Sequence, residues 1–318
     1  MIKYFLGFIL ITIISMLYDR YTKKQEKYSQ SHGYDIVSKY LLQEIPSDGR
    51  DIIWIHIDES INSRKWMHWG SRNTKSLNQP FVHLTIQSII EKASGNFKVC
   101  LVDDDSFSKL LPDFSVQLSA IPEPSKTYIR KIAMLQLLYS YGGMIIPMSY
   151  FACKPITLLY EALRTSEVFV CKTQQPQINC MQEQCFADIS FMGSKKNSTI
   201  LNEIIERLQH VFSNDFTEEK SLLHKETEIL ESYITSNTIT VISPQTIGCE
   251  DKYGNVITID ALFSETPIEF AQHMNGLLIP SKEILSASKY NWFSVSSIED
   301  IYQMKSNIGM LFIQKNEQ

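Results

Sequence analysis

The chain has 318 residues, of which 44% are hydrophobic and 20% are charged, and its net charge is -5. This length and composition are sufficient for one large globular domain or two small ones. The acidic balance argues against nucleic acid as a partner, because domains that bind nucleic acid usually present a basic face.

The first residues, "MIKYFLGFILITIISMLYDRYTKK", have the composition of a membrane anchor. A full membrane span needs about 20 mainly apolar residues, and flanking Lys and Tyr side chains can reach the interface. We therefore predict a transmembrane helix over residues 1–20 and a polar stalk over residues 21–48. A cleaved signal peptide and a buried helix are the alternatives. The first of these lacks a small-residue cleavage site.

The charges around this segment bear on the orientation of a single-pass membrane protein. Only Lys3 precedes the apolar run, whereas four basic residues follow it: Arg20, Lys23, Lys24 and Lys27. The positive-inside rule then places the main domain on the cytoplasmic side. A location in the lumen of the endoplasmic reticulum or Golgi, or in a virion, remains the alternative.

Segments with strand-like and helix-like patterns alternate through residues 49–318, which we predict to form one α/β domain. Strands are predicted at 51–58, 97–106, 144–151, 167–173, 187–194, 238–248 and 253–263. Helices are predicted at 81–94, 126–143, 155–166, 198–213 and 217–235. Such alternation indicates a mostly parallel sheet that is covered by helices on both faces. Ligands bind such sheets beyond the carboxyl ends of the strands, where Asp58, Glu59 and the aspartates 103–105 are predicted to lie.

The stretch "YIRKIAMLQLLYSYGGMIIP" (128–147) resembles the core motif of a glycosyltransferase family with a GT-A fold. That family includes the yeast initiating mannosyltransferase and many bacterial capsular polysaccharide enzymes. Its motif is a helix with Asp-x-x-Arg near the start, then Leu-Tyr-x-Tyr-Gly-Gly, then a strand that ends in Asp-x-Asp. The resemblance implies a GT-A-like, Rossmann-type sheet, a nucleotide-sugar ligand and a divalent metal on its diphosphate. The stretches "SRNTKSLNQPF" and "SKYNWF" resemble a variant of this family found in large DNA viruses of eukaryotes.

The departures from that motif all remove acids. Pro147 and Ser149 occupy the Asp-x-Asp positions, and Thr127 replaces the Asp of Asp-x-x-Arg, whereas Arg130 is retained. Hard divalent cations need oxygen ligands, preferably carboxylates, so no metal cofactor is predicted. A diphosphate would then need Arg or Lys to neutralise it. Lys131 is the other basic residue nearby, although adjacent helical positions face different directions.

No catalytic residue is assigned. Six residues are predicted to bind substrate: Arg130, Gly142, Gly143, Ser149, Trp54 and Asp188. Two of them have an equally simple structural interpretation. Trp54 either stacks on a base or lies buried in the sheet. Asp188 is either a carboxylate of the cleft or a surface acid on an edge strand.

Other polar residues have a weaker pattern. The aspartates 103–105 could bind a metal, but capping of the helix in "DSFSKLL" explains them more simply. His56 lies between apolar residues and is interpreted as a core histidine rather than a ligand. His68 and Arg72 are minor candidates for phosphate contacts.

The six cysteines form no CxxC pair and no zinc-ligand pattern. Cys180 and Cys185 flank the polar loop "CMQEQC" and could form a disulfide, but the cysteine count does not fix the redox compartment.

Three hypotheses for function follow from these observations. The first is a glycosyltransferase-like protein that has lost metal-dependent transfer and serves a structural or interaction role. The second is an active, metal-independent glycosyltransferase that acts on glycan or glycoprotein acceptors. The third is a membrane-tethered component of a protein lattice, such as one in a virion with an internal membrane.

Overall fold

The computed structural model describes residues 49–57, 79–93, 95–174, 184–214 and 219–314. Several predictions fall outside these residues: the anchor at 1–20, the stalk at 21–48, Asp58, Glu59, His68, Arg72 and Cys180. Within the described part of the chain, none of the helices combines the length and the apolar character that a membrane crossing requires.

Six strands form the main sheet. They are β1 (Asp51–His56), β2 (Phe97–Val102), β3 (Gly143–Ile145), β5 (Val168–Gln174), β6 (Cys185–Ser194) and β7 (Thr240–Ile242). A separate antiparallel ribbon contains β4 (Tyr150–Ala152) and β8 (Gly276–Leu278). The main sheet has the order β2-β1-β3-β6-β5-β7. Strand β6 is antiparallel to both of its neighbours, whereas the other pairings are parallel. The predicted mostly parallel α/β sheet is therefore confirmed.

Helices connect and cover these strands. They are α1 (Pro80–Lys92), α2 (Phe107–Leu110), α3 (Ser125–Tyr141), α4 (Thr157–Tyr160), α5 (Thr199–Asn214), α6 (Glu219–Thr235), α7 (Ile259–Phe263), α8 (Ser281–Ser286), α9 (Ile298–Tyr302) and α10 (Asn307–Gln314). Short 3-10 turns occur at Leu118–Ala120, Glu161–Arg164 and Asn291–Val295.

Both faces of the main sheet are buried. In β1, Ile52 and Trp54 belong to the cluster that packs with α3, α5 and α6, whereas Ile53 and Ile55 alternate with them and are fully buried on the opposite face. A strand that is buried on both faces reads as a continuous apolar run. This is why "IIWI" contains no polar residue.

The predicted strand at 144–151 is wrong as a single element. It is divided into β3 and β4, which belong to different sheets, and Pro147 lies between them. Proline lacks the N–H that a ladder needs, and the Tyr150 N–H instead donates to the Pro147 carbonyl over 3.0 Å in a tight turn. The ring of Tyr150 then packs on Phe191 of β6, with centroids 5.0 Å apart.

The predicted strand at 253–263 is also wrong, because its second half is the helix α7. The Thr258 side chain accepts a hydrogen bond from the Ala261 N–H, which caps the helix, and Asp260 lies in its first turn. Both features favour a helix start. In the first half of the predicted strand, the one pairing is an isolated β-bridge between Val256 and Glu250.

The predicted Gly-Gly stop of the long helix is confirmed. Gly142 and Gly143 have φ angles of +75° and +103°, which only glycine adopts readily. A Cβ atom on Gly143 would lie 2.1 Å from the Ile52 carbonyl oxygen. These glycines therefore let β3 leave α3 and pair directly with β1.

Candidate functional site

A cavity of about 300 Å³ lies at the carboxyl-terminal edge of the parallel strands. It is bounded by the ends of β1, β3 and β5, by the first half of α3, and by residues 278–283. This is where the sequence predicts a ligand site in such a sheet. About half of the lining side chains are apolar, and these include Pro124, Met134, Ile145, Ile146, Pro147, Met148, Ile189, Leu222, Leu223, Leu278, Ile279 and Pro280.

Arg130 is a buried basic residue in the wall of this cavity. Its Nε and Nη2 atoms donate to the two carboxylate oxygens of Asp104 over 2.7 and 2.6 Å. Its Nη1 atom lies 3.7 Å from Glu123 Oε1. A bidentate pair of this kind is geometrically specific. The positive charge of Arg130, which was expected to neutralise a diphosphate, is therefore already paired with the carboxylate of Asp104.

His56 and Arg130 share Asp104 as a partner. His56 Nε2 lies 3.2 Å from Asp104 Oδ1, and the imidazole stacks on Phe107. Burial by itself would raise the pKa of Asp104, but hydrogen bonds from His56 and Arg130, together with their charges, hold it well below its usual value. Asp104 is therefore ionised at neutral pH. The prediction that His56 is a core residue is wrong in one respect, because the residue lines the cavity.

Lys131 makes a second, separate ion pair in the same wall. Its Nζ atom lies 2.9 Å from Oε2 and 3.2 Å from Oε1 of Glu226, a residue of α6 that has no exposed surface. The Ile189 N–H also donates to Glu226 over 3.4 Å. Arg130 and Lys131 thus face different carboxylates, as their adjacent helical positions predict.

Asp188 is a second carboxylate near Lys131. Its oxygens accept hydrogen bonds from the Thr173 hydroxyl and the Ser190 N–H, each over 2.8 Å. Burial would raise the pKa of Asp188, but the charge of Lys131 and these hydrogen bonds lower it. Of the two interpretations from the sequence, the cleft carboxylate is the one that the structure supports, since Asp188 lines the cavity.

The pKa of Glu226 is raised, whereas that of Asp188 is lowered. Burial raises its pKa, Lys131 opposes this effect, and the negative charge of Asp188 adds to it, so that the pKa stays above its usual value. One ammonium group therefore serves two carboxylates, and this group of three side chains has no surplus positive charge.

An irregularity in the sheet helps to place Asp188. The register between β5 and β6 passes from Val170 opposite Met192 to Cys171 opposite Asp188, so residues 189–191 bulge between them. Bulges are over-represented next to functional sites because they change the direction in which side chains point.

The segment at residues 147–149 lies in the cavity wall. Pro147 and Ser149 both line it, and Ser149 is 6% exposed. The Ser149 carbonyl accepts from the Ile279 N–H over 3.1 Å, which ties this segment to the residue after β8. At these two positions of the wall, proline offers no ligand atom and serine offers a neutral hydroxyl.

Three of the predicted binding residues have structural roles. Trp54 is 1% exposed in the core, where its Nε1 atom donates to the Gly142 carbonyl over 3.0 Å. It therefore does not line the cavity, and the interpretation as a buried sheet residue holds. Gly142 and Gly143 form the turn between α3 and β3 and are not among the lining residues.

The three consecutive aspartates act separately. Asp103 accepts hydrogen bonds from the N–H and the hydroxyl of Ser106, just before α2. Asp104 pairs with Arg130, and the Asp105 carbonyl accepts from Ser108. In the described part of the chain, no three His, Cys, Asp or Glu side chains are arranged to hold a metal ion.

Glu226 is a residue of the site that was not predicted from the sequence, although the sequence contains a signal for it. Its helix α6 has buried residues at 222, 223, 226, 227 and 230, so an acid occupies the apolar stripe. A charged residue in such a stripe needs a buried partner. The helix pattern alone could therefore have marked Glu226 as half of a buried pair, although not Lys131 as the other half.

Comparison with known proteins adds no family assignment, since no protein family model and no curated protein matches the chain.

Proposed function

We propose that this chain is a membrane-anchored, glycosyltransferase-like protein that has lost metal-dependent nucleotide-sugar transfer and serves a structural or interaction role. The supporting features are the mostly parallel sheet, the cavity at its carboxyl-terminal edge, and Arg130 on the helix before Gly142 and Gly143. In this proposal the anchor is the segment at residues 1–20. One form of the role is a subunit of a protein lattice on a membrane, such as that of a virion.

The observation that carries the proposal is the charge balance of the cavity. Arg130 pairs with Asp104, and Lys131 pairs with Glu226 and lies near Asp188. Lys282, the remaining basic residue among the described lining residues, is exposed at the rim. A diphosphate would enter a site whose buried cations already have carboxylate partners, so its negative charge would find little compensation.

Calorimetry on the purified full chain tests this proposal. Uridine and guanosine diphosphate sugars, each titrated with and without Mn²⁺, are expected to give no metal-dependent binding. Micromolar affinity that requires Mn²⁺ would contradict the proposal.

A variant with two carboxylates at residues 147 and 149 can be compared directly with the natural chain. The double variant Pro147→Asp, Ser149→Asp places carboxylates at the positions that the resemblance assigns to Asp-x-Asp. The variant is expected to gain Mn²⁺ binding by electron paramagnetic resonance, whereas the double alanine variant and the natural chain remain without it. Thermal unfolding of all three proteins shows whether each is folded when it is measured.

A second candidate function is metal-independent sugar transfer, and one observation favours it. His56 is hydrogen-bonded to an ionised carboxylate in the cavity wall, and a histidine held by a carboxylate is a common general base. This alternative expects Arg130→Ala and His56→Gln each to abolish transfer in assays over a panel of donors and acceptors. Absence of turnover by the natural chain across that panel would exclude it.

A further inference from the structure

The cavity at the carboxyl-terminal edge of the sheet is lined by apolar side chains from several elements. They include Met134 of α3, Ile145 of β3, Ile189 of β6, Leu222 of α6 and Leu278 of β8. The cavity volume of about 300 Å³ lies at the lower end of the range for small-molecule sites, which combine an apolar lining with a few polar groups. Size and lining therefore favour a small and mainly apolar ligand.

The cations in the cavity wall already have partners of opposite charge within the protein. Arg130 donates through two nitrogen atoms to the carboxylate of Asp104, and Lys131 Nζ lies 2.9 Å from Glu226 Oε2. A charged ligand would have to displace one of these partners or remain without a counter-charge among apolar side chains. Burial of an unpaired charge is costly. An uncharged ligand avoids this cost.

The other charged residues of the lining do not alter this conclusion. The two oxygens of Asp188 accept hydrogen bonds from the Thr173 hydroxyl and the Ser190 N–H, each over 2.8 Å. Lys282 and Glu283 are adjacent residues of α8, one basic and one acidic. Each of these charged groups is thus either hydrogen-bonded or next to a residue of opposite charge.

Tyr128 provides an unused hydrogen-bonding group in the same lining. Tyr128 is 5% exposed, its ring stacks on Phe212 with centroids 5.1 Å apart, and its hydroxyl has no hydrogen-bond partner among the residues that the structure describes. Buried hydroxyls are normally hydrogen-bonded, so each exception needs an explanation. Ser149, which is 6% exposed, adds a second hydroxyl to the lining. A hydroxyl or carbonyl group of a ligand would supply the partner that Tyr128 lacks.

We propose that this cavity binds an uncharged, mainly apolar small molecule that carries one hydroxyl or carbonyl group, such as a medium-chain alcohol. The chain of the ligand packs among the apolar side chains, and its polar group forms a hydrogen bond with the Tyr128 hydroxyl. The proposal rests on the proposed function, because a site that still bound a metal and a nucleotide sugar would be occupied by charged groups.

Photoaffinity labelling of the purified full chain in phospholipid nanodiscs tests the proposal. The probe is decanol with an alkyl diazirine in its chain, and peptide mapping by mass spectrometry locates the label. Label is expected at residues 145–149 and 278–283, which line the cavity. Excess decanol should reduce this label by about tenfold or more, whereas decanoate and decylamine at the same concentration should reduce it by less than about threefold. Equal protection by either charged compound, or label confined to residues 1–48, would overturn the proposal.

Met148 offers a matched pair of variants within the lining. Met148→Trp fills part of the cavity and should reduce the label at residues 278–283 by about tenfold, whereas Met148→Leu conserves volume and should retain it. Leu158→Trp, at a position that is 51% exposed, controls for the added tryptophan. Thermal unfolding shows whether each variant is folded. Unchanged label in folded Met148→Trp would overturn the proposal, and the competition series on the natural chain decides the question if that variant does not fold.

Tyr128→Phe tests the hydrogen bond separately. In the natural chain, decanol should protect more strongly than 1-chlorodecane, which has no hydroxyl, by roughly threefold to tenfold. The variant should lose this preference and keep the protection by 1-chlorodecane. An unchanged preference in the variant would overturn the assignment of Tyr128 as the hydrogen-bond partner.

A uridine diphosphate sugar with Mn²⁺ separates this proposal from the proposed function. It is expected to leave the label at the cavity unchanged. Protection that requires Mn²⁺ would contradict the proposed function. Absence of protection by decanol, with no effect of the nucleotide sugar, would overturn the proposal of an uncharged ligand alone.

Discussion

The pair between Lys131 and Glu226 offers a quantitative test of the site. Glu226 has no exposed surface, and Lys131 is its neutralising partner at 2.9 Å. Lys131→Met keeps the length of the side chain but leaves a carboxylate buried without its cation. Removing one member of a buried pair costs about 3–5 kcal/mol. Because the Lys131 side chain keeps 17% exposure, we expect the lower end, about 3 kcal/mol, at pH 7.

This loss should depend on pH. The folded pKa of Glu226 already exceeds its unfolded value, which is near 4.5, and loss of the Lys131 charge raises the folded pKa further. A carboxyl group with a raised folded pKa binds more protons in the native state, so stability falls as the pH rises above the unfolded pKa. The Lys131→Met variant should therefore recover part of its stability between pH 7 and pH 5.

The assay is urea and thermal unfolding of the full chain, followed by circular dichroism. A loss of about 3 kcal/mol corresponds to roughly 6–12 °C for a domain of this size. The double variant Lys131→Met, Glu226→Gln removes both members of the ion pair and should recover part of the loss, because Asp188 is then the one carboxylate that has lost the charge of Lys131 and it keeps its hydrogen bonds from Thr173 and Ser190. Equal stability of Lys131→Met and the natural chain at pH 7, or no relative gain at pH 5, would refute this account.

Three further outcomes are expected. Gly143→Ala should lose roughly 3 kcal/mol of unfolding free energy, measured in urea, because its φ is +103° and a Cβ would meet the Ile52 carbonyl at 2.1 Å; an unchanged midpoint would contradict this. Trp54→Phe should lose about 2 kcal/mol in the same assay, because a buried main-chain carbonyl loses its donor. Arg130→Gln should raise the pKa of Asp104 in a carboxyl ¹³C NMR titration, since the guanidinium helps to hold it down. A lowered folded pKa contributes stability that is lost as the pH falls below the unfolded value near 3.8, so this variant should lose less stability in acid than the natural chain.

Elements with strong local signals could be predicted from the sequence. The helix at 126–143 was expected from its apolar spacing and its two glycines, and α3 ends at Tyr141 with Gly142 as its C-cap. The strand at 253–263 could not be recognised correctly, because "VITI" alternates like a strand. The decisive signal was the cap at Thr258, which starts α7 in the middle of the predicted strand.

The candidate site was predicted less completely than the fold. Its position followed from the strand ends, and Arg130, Ser149 and Asp188 all line the cavity. The charge pairing could not be predicted, because Lys131 and Glu226 are 95 residues apart and meet only when α3 and α6 pack around β6. Periodicity gives the face of each helix but not which residue of another helix lies opposite.

The ion pairs around the cavity have a consequence for how the protein folds in the cell. A pocket built from unmatched acids depends on a counter-ion, so its assembly is sensitive to the metal supply of the cell. Here the described acids Asp104 and Glu226 each receive a cation from α3, which is part of the same polypeptide. The domain should therefore mature without metal loading and keep its shape in chelating buffers.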